Sequence, residues 1–262
     1  AEGGDLMMSG TASITASSSS VRLNASGSVT LGQVNATSVS VVADTGAIVN
    51  AAGSTKNVTA TNLRLTADDA IGAANRHLTT NVATVTALST GTNTSGIYLT
   101  EDSALSVNTV TVSVTEFSSI ATTSVIKDAS QSDLVTGNNG NIVLVAGGTV
   151  TLNDGSANVG LAGIAGKAVS ANGTGSVLID VNAGDLLVNA DIASSTGHIT
   201  LKAAQGINLI ISSQTLVSVC RDKRLTAGLF SELGIDSPKI YDRSAIQFPC
   251  FGKPYDGSCS VG

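Results

Sequence analysis

Through the first two hundred residues, a glycine, one variable residue and then alternating apolar positions recur. The unit reads Gly27-Ser-Val-Thr-Leu31, Gly96-Ile-Tyr-Leu99, Gly140-Asn-Ile-Val-Leu144 and Gly148-Thr-Val-Thr-Leu152. It returns as Gly175-Ser-Val-Leu-Ile179, Gly184-Asp-Leu-Leu-Val188, Gly197-His-Ile-Thr-Leu201 and Gly206-Ile-Asn-Leu209. Alternation with period two over a few residues predicts short half-buried strands. Gly175 to Gly197 and Gly184 to Gly206 are both 22 residues, and the paired glycines within a unit lie 8 or 9 apart. Two strands in quick succession, repeated at that interval, predict an all-β fold of the parallel β-helix (β-solenoid) type, each rung bonding to the next.

The N-terminal half repeats less cleanly, but Val39–Val41, Asn57–Leu65, Val82–Thr86 and Val110–Val114 also read as strands. Near Asp128–Asn139 the apolar pattern fades, which predicts a loop projecting from the solenoid; Asn153–Asn172 reads as a broad turn or excursion. Coils of about 21 residues over residues 1–210 give roughly ten rungs, a rod of about 50 Å at the spacing between hydrogen-bonded strands.

Beyond about Ile211 the chain changes character. All three Pro, all three Cys and five of the seven Phe and Tyr lie there. Residues 211–262 form a small irregular module, a cap or docking piece, with a short helix expected at Leu225–Leu233 and Gly234 as its terminating glycine. Phe230, Tyr241, Phe248, Phe251 and Tyr255 are the candidates for docking a subunit. Cys220, Cys250 and Cys259 lack metal-ligand spacing and are disulfide candidates. Cys250–Cys259 is favoured because it closes a short loop, with Cys220 to either partner left open.

Composition sharpens this picture. Charged residues are 12% and aromatics 3% of the chain, too few of the latter for an ordinary globular core, while Val, Ile, Thr, Gly and Asn suit strands and tight turns. The net charge of −6 argues against a nucleic-acid partner. No apolar run is long enough for a membrane helix, and Ala1-Glu2-Gly3 fits either a mature terminus or an internal boundary.

The stretch Ala70–Ala87, with Gly96–Glu101 and Ala104–Val107, resembles a repeat of very large bacterial filamentous-haemagglutinin-like surface proteins; Gly140–Leu152 and Gly197–Ala204 look similar to further copies. The resemblance covers roughly residues 1–210. It implies a right-handed parallel β-helix, a secreted, cell-surface location, and a role in adhesion, surface coating or filament building. No secretion domain or translocator barrel of that family is recognisable, and the cysteine-bearing tail does not match its repeats.

Few residues suggest chemistry. His77 and His198 stand 121 residues apart; His198 reads as an exposed strand-start residue and His77 as part of a loop. Asp68-Asp69 and Glu101-Asp102 could make a glycosidase pair only by stacking across rungs, because neighbours on a strand point to opposite faces. Asn153-Asp154-Gly155 reads as a tight turn before it reads as a calcium site. Thr59-Ala-Thr61, Thr84-Val-Thr86 and Thr109-Val-Thr111 recur at 25 residues, the one hint of an ice-binding array. Sequons at Asn24 and Asn57 carry little weight in a bacterial chain.

The expectation is therefore a non-enzymatic extracellular structural or adhesive protein without cofactor or metal. Its partner would be another copy, stacked head to tail into a filament, or a host or cell-surface glycan or protein. The alternatives are a carbohydrate-binding or carbohydrate-cleaving β-helix and, less so, an ice-binding one.

Overall fold

The computed structural model describes residues 3–91, 96–156, 164–209, 223–232 and 234–235. The chain divides into two units, Ala1–Leu209 and Ile210–Gly262. The first is built almost wholly of strands in parallel pairs, an arrangement compatible with a β-helix.

The strands fall into eight tiers. The first holds β1 (Leu6–Met7) and β2 (Ser13–Ala25), the second β3 (Val29–Leu31) and β4 (Gln33–Ala43). The third holds β5 (Ile48–Asn50) and β6 (Val58–Ala67), and the fourth Ile71 with β7 (Leu78–Ser89). The fifth is made by β8 (Gly96–Glu101), β9 (Leu105–Val107) and, after the antiparallel hairpin β10 (Ser113–Phe117) and β11 (Thr123–Lys127), by β12 (Leu134–Thr136). The sixth comprises β13 (Asn141–Ala146), β14 (Val150–Leu152) and β15 (Lys167–Ala171). The seventh comprises β16 (Val177–Val181), β17 (Leu186–Val188) and β18 (Asp191–Ser194), and the eighth β19 (Ile199–Ala203) and β20 (Ile207–Leu209).

Register holds the core together. Leu6, Val29, Ile48, Ile71, Ile97, Ile142, Val177 and Ile199 lie over one another, one per tier. A second column runs Val21, Val39, Leu63, Val85, Val107, Leu152, Val188, Leu209, and a third Leu23, Val41, Leu65, Ala87, Leu134, Val169, Ile192. The interior members of these columns are fully buried or nearly so. One tier cannot enclose its apolar side chains alone, so each is buried by its neighbours.

Close approach between tiers accounts for some of the repeating glycines, while Gly184 (φ of +92°) and Gly96 (φ of +148°) also adopt a backbone conformation that L side chains rarely take. A Cβ on Gly175 would collide with the carbonyl oxygen of Gly140, and one on Gly197 with that of Gly175. The glycine corners stack, and any side chain there would force the tiers apart.

Three expectations need correction. An even coil would give ten tiers, whereas eight are described, because two are stretched. Ile97 to Ile142 takes 45 residues and Ile142 to Val177 takes 35, against 22 from Val177 to Ile199. Secondly, Asp128–Asn139 is not the projecting loop. Gln131, Ser132, Asp133 and Leu134 are almost completely buried and β12 pairs on both sides, while the projecting piece is the preceding hairpin. Its polar residues are buried because polar partners await them. Thirdly, the stretch Asn153–Asn172 contains a true strand, β15, in which Ala168 and Val169 face the core.

In the second unit the helix α1 (Lys223–Glu232) is described. Gly234, with φ of +68°, donates its N–H to the Ser231 carbonyl, and Ile235 donates to that of Phe230. This is the glycine-terminated end expected from the sequence. None of the described helices is long and apolar enough to cross a membrane.

Candidate binding surface: the inserted ribbon

Both long coils are lengthened at the same point of the tier, between the second and third apolar columns. Residues 108–133 separate Val107 from Leu134, and residues 153–168 separate Leu152 from Val169. In the first four tiers that point is occupied by Arg22, Ser40, Arg64 and Thr86, which lie over one another. The first insertion leaves the fifth tier and covers this column.

Its return strand forms a strap with one contact after another. The carbonyl of Asp133 accepts from Ala87 N–H and, at 2.9 Å, from Thr86 Oγ1 in the fourth tier. Gln131 donates from Nε2 to the Leu65 carbonyl (2.9 Å) and accepts at Oε1 from Thr66 Oγ1 (2.8 Å) in the third. Arg64 Nε donates to the Ala129 carbonyl, and Arg22 Nε in the first tier donates to Asp128 Oδ1 at 2.9 Å. Burial is the main influence lowering the proton affinity of the Arg64 guanidinium; Asp128 offsets it and Arg22 adds to it. An ion pair enclosed in this way positions the strap more than it stabilises the fold, since desolvation cancels much of the attraction.

Beyond Asp128 the ribbon β10–β11 packs on β2. Val114 and Ile126 are half-buried, while Phe117 (71%), Val125 (72%) and Ile120 (79%) are exposed. Between ribbon and stack lies a groove of about 360 Å³, lined by Ser18, Ser19, Ser20, Thr37, Ser113, Val114, Thr115 and Val125. Its polar lining is hydroxyl and uncharged, which suits hydrogen bonding to a neutral polar ligand. A second depression of about 410 Å³ includes Asn50, Asn75 and Arg76.

Asp133 links the two insertions. Its carboxylate accepts from Gly155 N–H at 3.4 Å and Ile164 N–H at 2.9 Å, at either end of the second insertion. Burial pushes its pKa up to about 6, against the pull of those two N–H groups, with Asp154 pushing it further up.

The residues singled out from sequence lie apart. Glu101 is buried and accepts from Val82 N–H, from Thr80 Oγ1 at 2.7 Å, and from Ser103 N–H and Oγ. It occupies an inward position, after Ile97 and Leu99, that Ala146 and Val181 fill in the next two tiers. That alternation was a readable sign of a buried carboxylate. Asp102 faces the other way, to Lys56 Nζ. Asp68 and Asp69 pair elsewhere, over Ala43 and Gly46, with Asp68 Oδ1 accepting from Thr90. No stacked acid pair is formed by these four. His77 hydrogen bonds through Nδ1 to Thr100 Oγ1 at 2.9 Å and packs beside Tyr98; burial, chiefly, lowers its pKa. His198 is exposed just ahead of β19, as expected.

Asn153 is not part of a tight turn but of a ladder, accepting from Asn189 and donating to Ser106 across three tiers. Among the described residues no three His, Cys, Asp or Glu gather as metal ligands. The threonines are out of register: Thr59 lies against Asn35 and Asn81, Thr84 against Asn62 and Ser106, and Thr86 is buried. The sequon residue Asn57 is enclosed and bonded to Leu31, Gly32, Asn50 and Thr79. Of the expected docking residues, Phe230 is half-buried on α1. Tyr241, Phe248, Phe251 and Tyr255, with Cys220, Cys250 and Cys259, lie outside the described residues.

The first unit is thus a tiered, nearly all-β, parallel-strand protein carrying an antiparallel ribbon. No family model, curated protein or solved structure matches the chain.

Proposed function

We propose that this chain is a structural or adhesive protein of the bacterial cell surface, secreted and built as a right-handed parallel β-helix, and not an enzyme. The observation that carries the reading is the ribbon: a rigid stack of tiers holds out Phe117, Ile120 and Val125 on a latched arm, where apolar side chains serve no core. Exposed apolar groups grouped in this way are a mark of contact surfaces. The likeness of residues 1–210 to filamentous-haemagglutinin repeats supports the location and the hand of the helix. The test is binding of the purified chain to bacterial and host cell surfaces. The Phe117→Ser/Ile120→Ser variant is expected to lose most binding while its melting temperature stays put; equal binding by both proteins rejects the arm as the adhesive element.

A second reading, carbohydrate recognition, is favoured by the hydroxyl-lined groove beneath the ribbon. A glycan-array signal that disappears in Ser19→Leu and persists in the Phe117/Ile120 variant would select it. Sugar release by the wild type, absent from an Asp69/Glu101 double variant, would make it an enzyme.

A further inference from the structure

Among the described residues, β2 pairs with β4 on one side and with no strand on the other. A 13-residue strand with an open edge is a template for another chain. The opposite end of the stack offers a second template: among the described residues β19 and β20 are each paired with one strand, and Ile199, Ile207 and Leu209 are 43%, 43% and 54% exposed. Two copies brought end to end would continue the parallel ladders.

Two features of the first tier oppose this. The register of β2 against β4 runs from Ala16 opposite Ala36 to Ser20 opposite Ser38, so Ser17, Ser18 and Ser19 stand against Thr37 alone. Such a bulge bends and twists an edge and breaks its hydrogen-bond spacing. The second feature is the ribbon. The strap descends from the fourth tier at Asp133 to the first at Asp128, in contact with Arg22. From Lys127 the ribbon runs alongside the first tiers, where Ser113, Val114, Thr115 and Val125 line a groove with Ser18, Ser19 and Ser20 of β2 and Thr37 of β4. It packs there against β2 and ends in the exposed Phe117–Thr123 tip.

We propose that the ribbon Ser113–Lys127 and the serine bulge form an edge guard, which keeps the first tier of this chain from pairing with the last tier of a second copy. The inference rests on the tier pairing and not on the adhesive reading. In the intact chain, head-to-tail stacking is closed at this end; removing the guard opens it.

The full chain is compared with a variant in which residues 113–127 are replaced by a short Gly-Ser turn. Val112 and Asp128 are already joined by a backbone hydrogen bond, so the splice is geometrically mild. Sedimentation velocity is run over rising concentration, with negative-stain microscopy. The intact chain is expected to keep one sedimentation coefficient, while the ribbonless chain grows into stacks. Adding Ile207→Lys and Leu209→Lys to the ribbonless chain should return it to the monomer. A ribbonless chain that keeps native circular dichroism and stays monomeric overturns the proposal, as does an intact chain that stacks through β2. Should that variant not fold, deleting Ser18 and Ser19 decides: the straightened edge must promote association that the two lysines abolish, or the guard is rejected. Cell binding is a separate readout, so failure of the adhesive reading leaves this result unaffected.

Discussion

Two flanks of the same stack follow opposite physical rules. On one, the column from Val29 to Val177 is apolar in every tier and dry. On the other, Arg22, Ser40, Arg64 and Thr86 are enclosed only because the strap covers them. On the apolar flank each side chain is stabilised by burial against whatever apolar neighbours stack on it, and none needs a hydrogen-bond partner. The polar flank is conditional. Remove one group, and those left behind keep the cost of desolvation without its compensation. Regular tiers therefore supply stability, whereas the strap supplies position.

The largest effect should come from the apolar flank. Ile142→Ala is expected to cost about 2–5 kcal/mol in equilibrium denaturation, because the cavity is walled by Ile97 and Val177 and cannot collapse. A loss below about 1 kcal/mol would mean that the tiers slide to fill space. Gly175→Ala comes next, at about 1–3 kcal/mol, since its methyl group meets the Gly140 carbonyl. If it is neutral, the glycine corner is not a close contact.

On the polar flank, a double-mutant cycle on Arg22→Ala and Asp128→Ala should give a coupling of about 1 kcal/mol, smaller than either apolar loss. The accompanying change should be faster proteolysis at Lys127, not a lower cooperativity of unfolding. A zero coupling with unchanged proteolysis would show that the strap holds without its latch.

The remaining effect is read along the pH axis, at Asp133. Its folded-state pKa of about 6 lies above the ordinary 3.8, so the folded chain holds the proton more tightly than the unfolded one. Stability from this group is fully present below pH 3.8, falls as pH rises toward 6, and is flat above. Asp133→Asn should therefore gain on the wild type at pH 7, and the gap should close on acidification. His77, whose pKa is lowered, has the opposite slope below 6.5, and the difference between the two proteins removes it. A gap that does not change with pH would place the Asp133 carboxyl in a solvated site.

The contrast between the flanks also decides what could be read from sequence. The strands at Gly140–Leu152 and Gly175–Leu209 were legible because period-two alternation and the 22-residue interval both report side chains facing a common interior. The strap was not legible. Asp128, Gln131, Ser132 and Asp133 look like a surface loop, and only distant partners such as Arg22, Thr66 and Thr86 make their burial possible. The threonine interval of 25 residues misled because the pairing offset at β6–β7 is 22. Of the candidate site, Phe117 could be noticed as one of two body aromatics, but nothing local to it announced an arm.

The strap has one more consequence, and it is mechanical. Parallel tiers pulled from one end should peel like a zipper, one modest step at a time. Here the first tier is tied to the third and fourth through Asp128, Ala129, Gln131 and Asp133. Tension applied at the N-terminal end must load four tiers together, so the thread-like weakness of a one-dimensional stack is replaced there by a single block that yields at once or holds.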